Sequence, residues 1–312
     1  MKTAIIGAGI SGLYLAKKLA GQGKKVVVFE KRESAAKKAC SGLFSSRILE
    51  LIPESEALIQ NKIKKALIHF PKKTVELSFK RHFLAMDRKE LDLLVYKQAL
   101  KAGAEIIFNK EEKASSCLKK GFAKIIAADG ALSQTRKELG LKEPRMRLGI
   151  QGFTNEKNQS DFVETWPIKD NGFIWKIPKG KKTEWGILLK PILAKRIFDG
   201  FLNQRKIKLK KTESALVPEG LTVSKSEKIA LIGDSAGLTK PWSGGGVVWS
   251  LLAANMLLET FPDFLAYQKR LIAFFRPRIF ASRILTELVY FSGFNFPWAI
   301  PKKTAIESDF LL

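Results

Sequence analysis

The chain has 312 residues, 46% of them hydrophobic, enough to bury a sizeable core; this excludes a disordered tail or a small disulfide-stapled scaffold. Lys and Arg outnumber Asp and Glu 55 to 30, giving a formal charge of +25, yet no zinc-finger spacing, RNP aromatic pattern or heptad array accompanies the charge, so specific nucleic-acid binding is not expected. An anionic membrane surface or a phosphorylated substrate suits such a surface, since each basic residue near anionic lipid contributes about 1 kcal/mol. Two cysteines, Cys40 and Cys117, with no N-terminal signal pattern, point to a reducing, cytoplasmic setting, with a peripheral place at a membrane as the outlet for the charge.

The first thirty residues read as a short apolar strand, a glycine-rich turn, an amphipathic helix and a second apolar strand ending at Glu30. In such a βαβ unit Gly7 permits the tight turn, Gly9 lets the backbone approach a pyrophosphate, and Gly12 lets helix and strand pack closely. The helix start offers unpaired N–H groups and about half a positive charge to phosphates. Glu30 can accept from a ribose hydroxyl, with Lys31 beside it. A dinucleotide is the expected ligand; this motif alone leaves FAD and NAD open.

After a Lys-rich loop, ACSGLFSSRILELI suggests a loop feeding a helix from about Leu43. Residues 62–80 suggest two strands joined at Pro71 and Lys72. A helix is expected from Asp87, with Glu90 at the capping-box position, ending near Gly103 and followed by a strand to Phe108. A short meander then leads to the apolar strand of AKIIAADG, a natural partner for the first sheet. Residues 145–219 carry short alternating runs, many aromatics and few helix signatures, and read as a mostly antiparallel second layer. KIALIGDSAG returns to the parallel pattern. Residues 241–258 lack charge, but their glycines, Ser243, Ser250 and Asn255 favour a buried helix over a membrane span. Residues 284–300, rich in aromatics and broken by Gly293 and Pro297, suit a monotopic membrane contact, a lid over an apolar channel or an ordinary packed helix. His69 and His82 lack ligand spacing, so no metal site is expected.

The ordered motifs GxGxxG (Gly7, Gly9, Gly12), DRxxLD (Arg88, Asp92), DGxxSxxR (Asp129, Gly130, Ser133, Arg136) and GDSAGxxxPxxGGG (Gly233, Asp234, Pro241, Gly244, Gly245, Gly246) resemble those of the FAD-dependent oxidoreductases of the para-hydroxybenzoate hydroxylase type. Within them, the sequence looks most like the geranylgeranyl reductase family. The resemblance implies an α/β fold: a Rossmann-like FAD-binding domain (residues 1–61, 85–144 and 221–275) interleaved with a mostly antiparallel β substrate domain (62–84 and 145–220), then an apolar helical tail (276–312). It implies FAD as cofactor, held by these glycines with Glu30, Lys31, Cys40, Gly42, Arg88, Asp129, Asp234 and Pro241. The glycines before an apolar helix would let main-chain amides approach the flavin ring and stabilise its reduced form.

Two stretches carry the likeness to the reductases. KACSGLFSSR matches a Cys-Gly-Gly-type loop beside the flavin, with Ser41 in place of a Gly, and makes Cys40 the expected proton donor or pocket-shaping thiol. GFIWKIPKGKKTEWGI matches an aromatic-x-Trp-x-aromatic-Pro-Lys stretch with Ile177 in place of an aromatic; strand geometry puts Phe173, Trp175 and Ile177 on one face, next to Pro178, as an apolar wall or simply as core. The implied reaction is saturation of isolated C=C bonds in the polyprenyl chain of an isoprenoid lipid or prenyl diphosphate, with NAD(P)H or ferredoxin as electron donor. A monooxygenase or halogenase of the same superfamily is the rival enzyme, and a non-catalytic flavin-binding, membrane-associated protein the rival of another class.

Overall fold

The computed structural model describes residues 1–35 and 39–307. Its elements begin with β1 (Lys2–Ile6), α1 (Ile10–Gly21), β2 (Lys25–Phe29), β3 (Leu43–Ser45), α2 (Ile48–Leu51), β4 (Ile59–Phe70) and β5 (Lys73–Met86). There follow α3 (Arg88–Lys101), β6 (Glu105–Ile107), α4 (Ala114–Lys119), β7 (Lys124–Ala127), α5 (Gln134–Glu138), β8 (Arg145–Thr154), β9 (Phe162–Ile168), β10 (Gly172–Lys179) and β11 (Lys182–Leu189). The remainder is α6 (Pro191–Gln204), β12 (Thr212–Glu219), β13 (Ile229–Leu231), α7 (Val247–Thr260), α8 (Phe264–Asn295) and β14 (Lys303–Ile306). Internal contacts divide the chain into two units, one of Met1–Lys37, Lys89–Arg145 and Val217–Ile279, the other of Lys38–Arg88, Met146–Leu216 and Phe280–Leu312.

The first unit is built on apolar runs too short for helices. KTAII and KVVVF form β1 and β2, each buried along four of five residues, as strands covered on both faces require. They lie in a parallel sheet of order β13-β7-β1-β2-β6. Chain order reverses about β1, where ligands of doubly wound sheets bind at the carboxyl ends of the strands. Beneath the sheet, Ala4, Val27, Phe29, Ile125 and Phe122 pack with Ala114 and Cys117 of α4. Here the structure departs from the expected meander, because α4 supplies the apolar side that the short edge of the sheet needs.

The motif DGxxSxxR has a structural explanation in this unit. Ser133 caps α5 by accepting from the Arg136 N–H at 2.9 Å. Arg136, fully buried, donates to the carbonyls of Ser235 at 2.9 Å and Ala131 at 2.6 Å, and pairs with Glu143 at 2.5 Å. Ser235 in turn donates to the Ala127 carbonyl at 2.6 Å. One side chain thus joins the Asp129-Gly130 turn to the Gly233-Asp234 turn.

The second unit holds a mixed sheet of order β12-β8-β11-β10-β9-β4-β5-β14, with β3 on β5. β4 and β5 meet at Pro71 and Lys72, as expected, though β5 runs on to Met86. The helix expected from Leu43 is instead strand β3, because Leu43–Ser45 pairs antiparallel with Phe83–Ala85 at an open sheet edge; the helix starts at Ile48. Within the stretch expected to be almost all strand, α6 begins with Pro191 at its first position and buries Ala194, Phe198 and Leu202, spaced by four. That face covers Ile174, Trp185, Ile187 and Leu189 on one side of β10 and β11. Gly293 does not break α8: a Cβ there would lie 2.0 Å from the Phe70 ring, so glycine makes room for that ring within the helix.

Replacing Arg136 by Leu strands the Ser235 and Ala131 carbonyls and is expected to lower unfolding free energy by about 2–4 kcal/mol, read from the urea midpoint of the purified protein. An unchanged midpoint would show that the two turns do not depend on it.

Candidate functional site

In the first unit the glycine turns pack closely, the turn after β1 meeting the turn after β7 backbone to backbone. A Cβ on Gly7 would lie 2.3 Å from the Ala128 carbonyl oxygen, and one on Gly12 would lie 2.1 Å from the Gly7 oxygen. Gly7 also has φ +105, which a side chain would strain. Gly233, φ +66, would bring a Cβ to 2.8 Å from the Ser11 hydroxyl at the start of α1. Gly9 differs from its neighbours: a Cβ there meets nothing within 4 Å. The close-packed glycines hold a loop whose remaining glycine faces open space at the N-terminus of a twelve-residue helix.

The polar groups around that space suit a dinucleotide. Glu30 is buried, accepts from the Ala8 N–H at 2.7 Å through one oxygen, and from the Arg32 N–H and Nε at 2.9 Å through the other. Burial works to raise its pKa, but the Arg32 hydrogen bonds and charge, with the Ala8 N–H, outweigh it and hold the carboxyl below the usual range. Arg32 Nη2 donates to the first oxygen as well, at 3.1 Å, so the carboxylate closes the glycine loop with two hydrogen bonds on each oxygen. Lys31 is exposed and lies 3.5 Å from Glu111. Asp129 accepts from the Thr135 N–H at 2.9 Å through Oδ2, while its buried Oδ1 has no partner. Gly130, φ +82, leaves open space. These features fit the polar atoms of a bound dinucleotide, in a cradle that a side chain at Gly9 would fill.

The second glycine turn leads into α7 as expected. The Gly244 N–H donates to the Lys240 carbonyl at 2.8 Å, and the Lys240 N–H to the Gly245 carbonyl at 3.1 Å, closing a loop that contains the buried Pro241. Gly246 caps the helix, and a Cβ there would sit 3.0 Å from the Leu238 oxygen and 3.5 Å from Asp234 Oδ1. Gly245 is exposed. The Tyr14 hydroxyl, donating to Asn255 at 2.9 Å, ties α7 to α1.

The second unit gathers most of the remaining residues on one face of its sheet. The register pairs Phe173 with Leu188, Trp175 with Gly186 and Ile177 with Glu184, and Gly186 in turn with Gln151 of β8. Phe173, Trp175, Ile177 and Lys179 thus alternate onto the side opposite α6, and Pro178 onto the other. Trp175 lies over Gly186, where a Cβ would come within 2.2 Å of its ring, and its indole N–H donates to Glu184 Oε1 at 2.8 Å. Trp175 and Ile177 are buried, while Phe173, 5.8 Å from Trp175 between ring centroids, keeps partial exposure.

Cys40 stands at this face, half-buried. Its Sγ lies 3.6 Å from Arg88 Nη1, and its carbonyl accepts from Gln151 Nε2 at 3.2 Å. Gly42, φ +59, gives its carbonyl to the Met86 N–H at 2.9 Å; a Cβ there would lie 2.0 Å from the Met86 oxygen and 2.7 Å from Lys179 Nζ. Lys179 donates to the same Met86 carbonyl at 2.8 Å and stands 3.9 Å from Glu184 Oε2. Burial lowers the Lys179 pKa and pushes Glu184 up to about 7, against the opposing pull of the pair's own attraction. Sequence reasoning missed Lys179, Glu184 and Gln151; the alternation that placed Phe173, Trp175 and Ile177 on one face also places Lys179 there. Among the described residues no cluster of three His, Cys, Asp or Glu is arranged to hold a metal, and no helix is long and apolar enough to cross a membrane.

Residues 5–41 match the family model of an NAD(P)-binding Rossmann-like domain. The digeranylgeranylglycerophospholipid reductase of Methanosphaerula palustris is 27% identical over 304 residues, covering 82% of this chain and 75% of its own. A geranylgeranyl bacteriochlorophyll reductase-like protein from Thermoplasma acidophilum superposes with a TM-score of 0.77 at 21% identity, over 93% of this chain and 87% of its own. A 2-methyl-3-hydroxypyridine-5-carboxylic acid oxygenase shares the fold at TM-score 0.72 and 18% identity, over 95% of this chain and 93% of its own.

The glycine geometry separates two substitutions. Gly12→Val is expected to abolish cooperative folding, since its Cβ meets backbone, whereas Gly9→Val should melt within a few degrees of the parent; circular dichroism melts compare them. Gly12→Val melting like the parent would contradict the close packing described. By ordered motifs, fold and sequence likeness together, the chain is similar to the geranylgeranyl reductases among the FAD-dependent oxidoreductases.

Proposed function

We propose that the protein binds FAD and saturates isolated C=C bonds in the polyprenyl chain of an isoprenoid lipid or prenyl diphosphate. The observation that carries this reading is Cys40: a half-buried thiol beside the Arg88 guanidinium, on the apolar face formed by Phe173, Trp175 and Ile177. The names of the reductase relatives supply the substrate class. An isolated alkene has no neighbouring carbonyl to polarise it, so its reduction needs a hydride source on one carbon and a positioned acid at the other, away from water. FAD, when bound, supplies the hydride equivalent. Cys40 holds the proton, Gln151 fixes the loop that carries it, and Arg88 stabilises the thiolate left behind. Phe173 is the member of the wall that a chain would touch. The two electrons come from NAD(P)H or a small ferredoxin, an acidic carrier being drawn by the chain's positive charge.

A peripheral membrane contact supports delivery of such a substrate. Phe280, Ile284, Leu288 and Phe291, spaced by four, four and three along α8, are 67%, 41%, 54% and 59% exposed, and Trp298 beyond them is 80% exposed. Arg276 and Arg283 are also exposed on this helix, and anionic headgroups are the complement of such a surface.

Incubated anaerobically with dithionite-reduced holoprotein, prenyl lipids are expected to gain two-hydrogen mass increments by mass spectrometry. Gly9→Val should yield colourless protein, and Cys40→Ala should stay yellow but turn over about a hundredfold more slowly. Reduced flavin that prenyl lipids never reoxidise, but that oxygen and an aromatic substrate consume together, would favour the oxygenase reading instead. In co-sedimentation, the protein should bind phosphatidylglycerol vesicles, and Phe280→Ser/Phe291→Ser should lose about tenfold in binding; equal binding by the variant would dismiss α8 as the contact.

A further inference from the structure

We propose that the Arg32 side chain is a specificity-determining cover on Glu30: it competes with ribose hydroxyls for the carboxylate, so a dinucleotide is held here by its pyrophosphate and gains little from its adenosine ribose. This rests on the reading of the glycine turns as a dinucleotide cradle, and not on the prenyl reaction. An acidic residue at the end of the second strand of a βαβ unit ordinarily accepts from ribose hydroxyls. Glu30 stands at that position, directly after β2, and is buried, but its acceptor sites are already engaged. An ionised carboxyl has about four lone-pair sites, divided between its two oxygens. The Ala8 N–H takes one on Oε2 at 2.7 Å, and the Arg32 N–H takes one on Oε1 at 2.9 Å. The guanidinium takes the others, through Nη2 on Oε2 at 3.1 Å and Nε on Oε1 at 2.9 Å.

These bonds are not equivalent. The main-chain donors are fixed in place. Ala8 follows Gly7, which is wedged against the Ala128 carbonyl. The backbone around Glu30 is tied to the end of β6: the Glu30 N–H donates to the Ile107 carbonyl at 2.9 Å, the Lys110 N–H to the Glu30 carbonyl at 2.9 Å, and the Asn109 N–H to the Arg32 carbonyl at 3.0 Å. The remaining bonds come from a single side chain that is 40% exposed, and an ion pair that water reaches is readily exchanged. Lys31 is turned the other way, toward Glu111 at 3.5 Å, so Arg32 is the cation that Glu30 meets. Withdrawal of the guanidinium releases one acceptor site on each oxygen, which is what a vicinal diol needs to donate a parallel pair of hydrogen bonds. The Arg32 fork and a ribose diol therefore fit the same sites, and each excludes the other. What the hydroxyls gain is offset by the charge-assisted pair that they displace.

The test is isothermal titration of ADP, and of dideoxy-ADP lacking both ribose hydroxyls, into the full-length chain freed of nucleotide. The ligands carry the same phosphates and differ only in the diol. The parent should bind them within about threefold of each other, and Arg32→Leu should prefer ADP by about tenfold. Loss of the guanidinium's attraction for phosphate weakens both ligands alike and cancels in the ratio. Arg32→Lys, which keeps the charge but lacks the planar fork, should fall between them. In the double variant E30Q/R32L the preference should drop back toward the parental ratio, which places the hydroxyls on Glu30. A parent that already prefers ADP about tenfold, or ratios in R32L and R32K equal to the parent's, would overturn the proposal and leave the cradle intact. Saturable binding of neither ligand would unseat the cradle and the proposal together. Prenyl lipid and flavin reduction play no part in the readout, so the reaction proposed above stands or falls separately.

Discussion

Contact between one stretch of main chain and another, with no side chain between them, is the constraint on which the first unit depends. Gly12 lies against the Gly7 carbonyl and Gly7 against the Ala128 carbonyl, each at separations where a methyl group would overlap. These contacts draw the turns after β1 and β7 together beside the start of α1, while Gly233 brings the turn after β13 against Ser11. The open side of Gly9 is what remains when every neighbouring gap has been closed. Arg136 then fixes what the glycines allow, since its guanidinium bridges the two turns through carbonyls that would otherwise be buried unpaired.

The second unit solves a different problem. A sheet whose one side is sealed by α6 must present the other to something, and here that side carries an indole, a carboxyl, an ammonium and an amide among apolar groups. Fully buried charges are costly and add little stability compared with an apolar replacement. Their arrangement is instead specific: the indole donates to Glu184, Glu184 faces the Lys179 ammonium, and that ammonium donates to the Met86 carbonyl, in a chain that ends at the turn bearing Cys40. Gly186 and Gly42 permit that chain, one by admitting the Trp175 ring, the other by admitting the turn.

Much of the first unit was legible because its signals are local. Glycines three or two apart, an apolar run of four and an acidic residue at a strand end fall within thirty residues, and the same spacing that names the motif enforces the contact. The helix from Arg88 and the strand pair about Pro71 were legible for the same reason. Strand β3 was not, since three residues gain their conformation from pairing with β5 rather than from their own sequence. Helix α6 was hidden by its aromatic, strand-rich surroundings, although Pro191 and the spacing of Ala194, Phe198 and Leu202 were there to be read. Lys179 and Glu184 flank Gly180 and two further lysines, which in sequence look like a solvated hairpin tip. Only the docking of the distant Cys40 turn makes them interior.

The contrast between main-chain and side-chain recognition explains how one fold serves proteins as different as a bacteriochlorophyll reductase-like protein and a pyridine-carboxylate oxygenase. A dinucleotide cradle made of glycines and helix ends tolerates drift in nearly every surrounding side chain, so the fold persists at 21% and 18% identity. A reactive face made of side chains has no such tolerance: exchanging a thiol, an indole or a buried carboxyl changes which atoms meet the substrate while leaving the strands in register. On the proposed reading, the chemistry lies where the sequence is least constrained by backbone geometry, at Cys40 and the buried groups of β10 and β11. On the same reading, the cofactor lies where it is most constrained, at Gly7, Gly9 and Gly12.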